Sequence, residues 1–284
     1  MTAAPAGWAG PKLLGPLFDE IAEDWRRRYS EHRLRNLNRI GQKAQAKLGD
    51  SIDDEGEVPP RIAAVVMDSG SWCDAEVMSE YFGGILAASR SPDVADDRGV
   101  KWANLVAGLA TYDIYLHYLI YEAFRRLFIG RGLELGKDTV QLASRIYLPA
   151  ADVMTVIGLE PSDETWDAGW DLVSSALMAL QRTGLISNSS ALGSAGLLRE
   201  LLMADIPEDG MVLAPSTAGI ELFLWAHGHR HAVTEILSES LTMEAVADLR
   251  RVDAARELEV LVQQQRERLE RGAVARNTAA APSE

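Results

Sequence analysis

With 284 residues, 47% of them hydrophobic, the chain is long enough to bury a sizeable core and to divide into two or three helical subdomains. A formal net charge of −14 works against a general role on nucleic acid or an anionic membrane, both of which demand an electropositive face, and leaves only a local basic patch open. The single cysteine, Cys73, excludes an intramolecular disulfide framework and fits a reducing cytoplasm.

Residues 1–15 read as a flexible start with neither a basic opening nor an unbroken apolar run, so the sequence predicts no secretory signal and a cytoplasmic protein. No stretch approaches the roughly 20 apolar residues that span a bilayer. The longest candidate, 112–129, is broken by Asp113, His117, Glu122, Arg125 and Arg126 and reads as a core helix. A long amphipathic helix is predicted over 16–49, with Leu17, Ile21, Trp25, Leu37 and Ile40 on its apolar side and Gly49 as its stop. Its early turns are acidic and its later ones basic, in line with the helix dipole. Arg26, Arg27, Arg28, Arg33 and Arg35 make it the concentrated basic surface of the chain, open to two readings. It is a solvated or partner-facing helix, or it docks on an anionic surface such as lipid headgroups or nucleic acid.

The acidic linker 50–60 ends in a double proline, and a helical core domain is predicted over 58–158. Arg61 to Gly70 reads as a short apolar helix. Asp74 is the expected cap of the next one, whose Val77, Met78, Tyr81, Phe82, Ile85 and Leu86 form one buried stripe. Cys73 is either a small structural residue or a reactive thiol. After the loop 89–98, a helix pair is predicted over 100–109 and 113–129. The loop pairs Asp53-Asp54 and Asp96-Asp97 are explained by solvation or capping, with a divalent-metal role as the competing reading, and His117 by a satisfied core position rather than a general base.

The run YFGGILAASRSPDVADDRGVKW, the later LHYLIYEAF, the upstream VPPRIAAVVMDSGSWCDAEVMSEYF and the basic RRRYSEHRLRNLNRIGQKA resemble the abortive infection alpha (Abi-alpha) family of bacterial phage-resistance proteins. The likeness covers most of residues 16–228 and rests on packing and loop residues rather than a reactive signature. It implies a phage-defence role and, toward the C-terminus, a turn of the kind Ser216-Thr217-Ala218-Gly219 before a hydrophobic segment.

A helix is predicted over 161–183, capped by Ser162 and buried through Trp166, Trp170, Val173, Leu177 and Leu180. Its ending in LQRTGLIS, followed at a distance by the β-like VLAPSTAG, is similar to the end of a winged-helix domain, placed at 159–231. The acids of this stretch outnumber Arg182, Arg199 and Arg230, so a phosphate backbone would be repelled and protein contact is the expected use.

His227, His229 and His231 are the candidate metal ligands. On an extended strand they would share one face, and imidazole suits zinc, nickel or copper. An exposed histidine-rich turn and a pH-responsive contact are the other readings. A helical region is predicted over 232–271, with Thr242 opening a long amphipathic helix that packs back on its own domain or pairs with another subunit. The tail 272–284 is expected to be disordered.

Taken together these features predict an all-α multi-helix bundle with a small winged-helix-like C-terminal module containing a short β element. They predict no cofactor and a protein partner or self-association, with an anionic membrane as a further possibility and nucleic acid disfavoured. The expected function is a defence protein acting through contacts. A scaffold or regulatory module and a metal-dependent enzyme on the three histidines are the alternatives.

Overall fold

The computed structural model describes residues 31–92, 95–133, 135, 144–230, 232–241, 243 and 249–279, with side chains up to 271. The predicted segment 1–15, residues 16–30 of the predicted helix 16–49 and residues 280–284 of the predicted disordered tail 272–284, together with Arg26, Arg27, Arg28 and His231, lie outside the described residues, whereas the start of that tail is helical up to Ala279. The described chain is mostly helical, and its β content is larger than the predicted short element: a four-stranded antiparallel sheet. The chain divides into two compact units, each assembled from separated lengths of sequence. The first comprises residues 1–118 and 220–250, the second 119–219 and 251–284.

In the first unit, α1 (Glu31–Leu48) runs into a 3-10 turn (Gly49–Asp53), followed by α2 (Pro60–Gly70), α3 (Glu76–Ser89) and α4 (Val100–Ala107). Helix α5 (Thr111–Phe128) begins in this unit and ends in the second, while α9 (Thr217–Ala226) begins in the second and ends in the first. Pro60 opens α2, where its fixed φ and missing N–H cost nothing. Asp74 is not the cap of α3. The chain enters that helix through Ala75 without a side-chain cap, and the Asp74 carboxylate instead accepts from Asn36 Nδ2 at 3.0 Å and pairs with His32 Nε2 at 2.9 Å.

Helix α3 is buried from Val77 to Ser89 on all sides. Two adjacent glycines make that possible. A Cβ on Gly83 would lie 2.6 Å from Lys43 Cβ and 3.0 Å from the Ile40 carbonyl oxygen of α1, and one on Gly84 would collide with the Ala226 backbone of α9. The pair therefore lets α3 approach one helix on each side closely, at the helix-propensity cost of two glycines.

The second unit holds β1 (Ile146–Pro149), α6 (Ala150–Val156), α7 (Trp166–Arg182), β2 (Ala191–Gly193), α8 (Ala195–Leu202), β3 (Gly210–Leu213), β4 (Arg256–Glu257) and α10 (Leu258–Ala279). The sheet order is β2-β3-β1-β4, with Ile146 opposite Leu213, Leu192 opposite Met211 and Tyr147 opposite Arg256. Tyr147, Leu198, Ile206, Val212, Leu258 and Leu261 form its core cluster. Thr242, the predicted start of the C-terminal helix, lies outside the described residues, and α10 begins at Leu258. Residues 256–257 pair with β1, and the Leu258 N–H donates to the Arg145 carbonyl at 3.0 Å. Ser162 does not cap α7 either, since that helix begins at Trp166. Ser162 and Thr165 form a reciprocal turn just before it, Ser162 N–H to Thr165 Oγ1 at 3.0 Å and Thr165 N–H to Ser162 Oγ at 3.3 Å.

Tyr121 is the polar knot of this unit. Its hydroxyl donates to the Leu185 carbonyl at 2.5 Å and accepts from the Ser216 N–H at 3.0 Å, while full burial pushes its pKa up to about 12. Gly219 sits against that hydroxyl, where a Cβ would have no room, and Ser216 Oγ accepts from the Gly219 N–H at 3.0 Å at the start of α9. Tyr121→Phe is expected to cost about 1–3 kcal/mol, because it strands the buried Leu185 carbonyl and the part-buried Ser216 N–H. Urea unfolding of the two proteins measures it, and an unchanged midpoint would mean that the knot carries no stability.

Candidate functional site

The candidate residues of the first unit sit where α1, α3 and the end of α9 meet. The basic side of α1 is answered within the unit. Arg33 donates from Nε to Ser71 Oγ at 2.9 Å and lies 3.9 Å over the Trp72 ring. Arg39 reaches Asn36 Oδ1 at 2.8 Å and Glu76 at 3.7 Å. Lys43 binds Glu76 and reaches Glu80 Oε1 at 2.6 Å, and Lys47 binds the other Glu80 oxygen. Of the candidate arginines in the described residues, Arg33 is thus held by α2 and its following turn, and Arg35 is exposed.

Glu80 is nearly buried, its side chain 5% exposed beside a Lys47 side chain 9% exposed. Burial opposes its ionisation, but the Lys47 charge and the hydrogen bonds from both lysines outweigh that and hold its pKa below the usual carboxylate value. Burial likewise opposes the charge on Lys43, and its bonds to Glu76 and Glu80 overcome it and raise its pKa.

The described histidines are separated in role. Helix α9 ends at Ala226, so His227 falls in the turn that follows. It is buried, with Nδ1 2.8 Å from the Phe223 carbonyl and its ring 4.2 Å from the Phe223 ring. Burial first, then the charge of Lys47, push its pKa down to about 4. His229 is partly exposed on the following segment. Among the described residues no group of three or more His, Cys, Asp or Glu side chains is placed to hold a metal ion. Because the folded state lowers the imidazole pKa, it favours the neutral ring. The stability this gives is complete above the ordinary value of 6.5 and is lost as pH falls toward about 4. That shift corresponds to about 3 kcal/mol at full loss. His227→Phe is expected to flatten the pH dependence of unfolding in this window, measured by chemical denaturation across it, and an unchanged slope would refute the assignment.

The other candidates have structural partners. His117 is fully buried and bonded through Nδ1 to the Tyr81 hydroxyl at 2.6 Å, the rings meeting edge to face. Asp96 is held by Arg98 at 2.7 Å and by Arg230 at 2.8 Å, the Arg98 bonds lowering its pKa to about 2, and Asp97 pairs with Arg61. Asp53 and Asp54 are exposed at the end of the 3-10 turn, where Arg90 donates to the Ser51 carbonyl at 2.7 Å. Burial and the Asp74 charge raise the Cys73 thiol, which favours the structural reading over a reactive thiolate.

Two surfaces of the second unit stand out, the first unread in the sequence and the second read there as an acidic stretch on a helix buried through Trp166 and Trp170. Helix α8 carries Leu197 and Leu201 at 56% and 63% exposure and ends in Met203, 73% exposed and in the left-handed region at φ 50°. The doubled leucines of AGLLRELL held the signal, since only one of each adjacent pair can face a core on a short helix. Leu198 does so, and Leu197 is left outside. The second surface is the outward side of α7, with Asp167, Asp171 and Met178 exposed and Trp166 and Trp170 stacked and half-buried along its border.

Compared with family models, curated proteins and solved structures, the chain gives no significant match to any of them. Among the described residues, no helix is long and apolar enough to cross a membrane.

Proposed function

We propose that this chain is a phage-defence protein of the abortive-infection kind that acts by protein contact rather than catalysis, through a winged-helix-like second unit. The observation that carries the contact is α8, a helix between β2 and β3 that displays Leu197, Leu201 and Met203 to solvent. A methionine held at positive φ where glycine would be unstrained, with its side chain outward, fits a surface kept for binding.

The winged-helix reading is supported by the order α5, β1, α6, α7, β2, β3 with the antiparallel sheet order β2-β3-β1, α8 occupying the wing. A wing faced with leucine and an α7 faced with carboxylate suit a protein partner better than phosphate. The defence role rests on the resemblance of YFGGILAASRSPDVADDRGVKW and its companions to Abi-alpha proteins. A scaffold or regulatory protein would use the same α8 edge. A metal enzyme on His227, His229 and His231 has less support, because His227 is buried and its Nδ1 is occupied.

The test is expression in a susceptible bacterial host challenged with a phage panel at low and high multiplicity, comparing the native chain with Leu197→Glu/Leu201→Glu. Plaques are expected to fall while heavily infected cells still die, and the double variant is expected to fold but lose protection. Plaque counts unchanged by the native chain across a broad panel would end the defence reading. Full protection by the variant would remove α8 from it.

A further inference from the structure

The exposed side of α8 is apolar along its middle and acidic around its rim. Leu197 and Leu201 stand one turn apart at 56% and 63% exposure, with Met203 73% exposed just past the helix end. Gly196 beside Leu197 leaves the approach open, since even a Cβ there would meet nothing within 4 Å. Helix α10 continues the strip. Val262 packs against the same core cluster as Leu198, and Leu269, two turns further along the same face of α10, is 59% exposed. Carboxylates surround these side chains. Glu200 lies one turn from Leu197, Asp209 accepts from the Ala195 N–H at 2.8 Å where the helix starts, and Asp205 and Glu208 belong to the segment that follows it. The nearby cations are committed elsewhere. Arg199, on the opposite side of α8 from the two leucines, donates to the Ile206 carbonyl at 2.5 Å and the Pro207 carbonyl at 3.0 Å, and Arg268 of α10 is held by Asp205 at 3.1 Å. Glu200 and Glu208 have no ion-pair partner among the described residues.

Two leucines one turn apart form the ridge against which a second helix packs, and an exposed methionine adapts to what it meets. The unanswered rim sets the charge of that helix. A second copy pairing α8 with α8 would bring its own Glu200 to the contact, and an anionic lipid surface would be repelled by the same carboxylates. We infer that α8 and the exposed side of α10 dock a basic amphipathic helix of a partner protein, its apolar side on Leu197, Leu201 and Met203 and its lysines or arginines against Glu200 and Glu208. The inference rests on the reading of α8 as a contact surface and names the chemistry of what covers it.

Two labelled synthetic peptides of about 18 residues, with leucine at helical spacing and either lysine or glutamate at the other positions, are titrated with the purified full chain and read by fluorescence anisotropy. The leucine–lysine peptide is expected to bind saturably and to weaken as salt rises from about 0.05 M to about 0.5 M, and the leucine–glutamate peptide not to bind. Leu197→Glu/Leu201→Glu is expected to weaken the first peptide by about tenfold or more, although it adds negative charge to a chain that already carries −14. General attraction to an acidic protein would move binding the other way. Glu200→Lys/Glu208→Lys, at two exposed positions, is expected to weaken it by about fivefold or more through the rim alone. The inference is overturned by a leucine–lysine peptide that does not saturate, by equal binding of the glutamate peptide, or by a leucine variant that binds as well as the native chain. Should the peptide fail while that same variant still loses phage protection, α8 remains a contact surface and only its occupant is wrong, so the two failures are told apart.

Discussion

Glu80→Leu is expected to destabilise the first unit by about 3–5 kcal/mol, the usual cost of stranding a buried charge. Glu80 holds two lysines at once, Lys43 at 2.6 Å through one oxygen and Lys47 through the other. Lys43 keeps Glu76 when Glu80 is removed, so most of the loss falls on Lys47, whose side chain is 9% exposed. The companion Glu80→Leu/Lys47→Leu is expected to recover most of that stability, because an apolar pair of similar volume replaces the ion pair without leaving a charge behind. The lowered pKa of Glu80 sets a further expectation with a definite sign. Its contribution is present above the ordinary carboxylate value of 4.5 and disappears as pH falls through its folded-state pKa, so the gap between native and Glu80→Leu should narrow in acid. Denaturant unfolding of the three proteins at neutral and acid pH measures all of this. A single variant as stable as the native chain would show that the pair contributes nothing beyond its own desolvation.

Gly84→Ala is expected to cost about 3 kcal/mol or more, at the upper end for overpacking, and Gly84→Leu to abolish the cooperative fold of the first unit. The added Cβ meets the Ala226 oxygen, carbonyl carbon and Cα, which are backbone atoms that cannot rotate away as a side chain does. Relief requires α3 and α9 to separate, and that opens a core in which Phe82 and Ile85 are fully buried. Gly196→Ala in α8 is the control, since a Cβ there meets nothing within 4 Å. It is expected to be neutral or to stabilise by about 0.5–1 kcal/mol through helix propensity. Thermal melts of the variants decide it: equal losses at the two glycines would mean that chain flexibility rather than contact sets the cost.

The parts of this fold that were legible in the sequence are those with a long apolar period. The stripe Val77, Met78, Tyr81, Phe82, Ile85 and Leu86 and the run through Val173, Leu177 and Leu180 both fall on helices. Apart from the β-like run from Val212, whose first two residues belong to β3, the strands were hidden for a physical reason. Residues 146–149 and 210–213 are buried throughout, so they lack the polar alternation that marks a strand and pass for pieces of a core helix. At two residues, β4 leaves almost no local pattern at all. The basic face of α1 was legible as charge but not as structure. Lys43 and Lys47 stand one turn apart, as do Glu76 and Glu80, and the match becomes visible only when the two helices are known to lie side by side. The doubled leucines of α8 mattered only once the sheet had shown which of them the core could take.

The interleaving of the two units has a consequence for how this protein is made. A ribosome releases α3 early, but the Ala226 backbone against which Gly84 is fitted belongs to the return segment 220–250 and emerges only after most of the second unit's chain has been synthesised. The second unit in turn waits for Leu258 and Leu261 to complete its core. Vectorial synthesis therefore leaves the first unit unfinished until residues 220–250 have emerged and the second until Leu258 and Leu261 have followed, and neither can be inherited, excised or transplanted by a single cut in the gene.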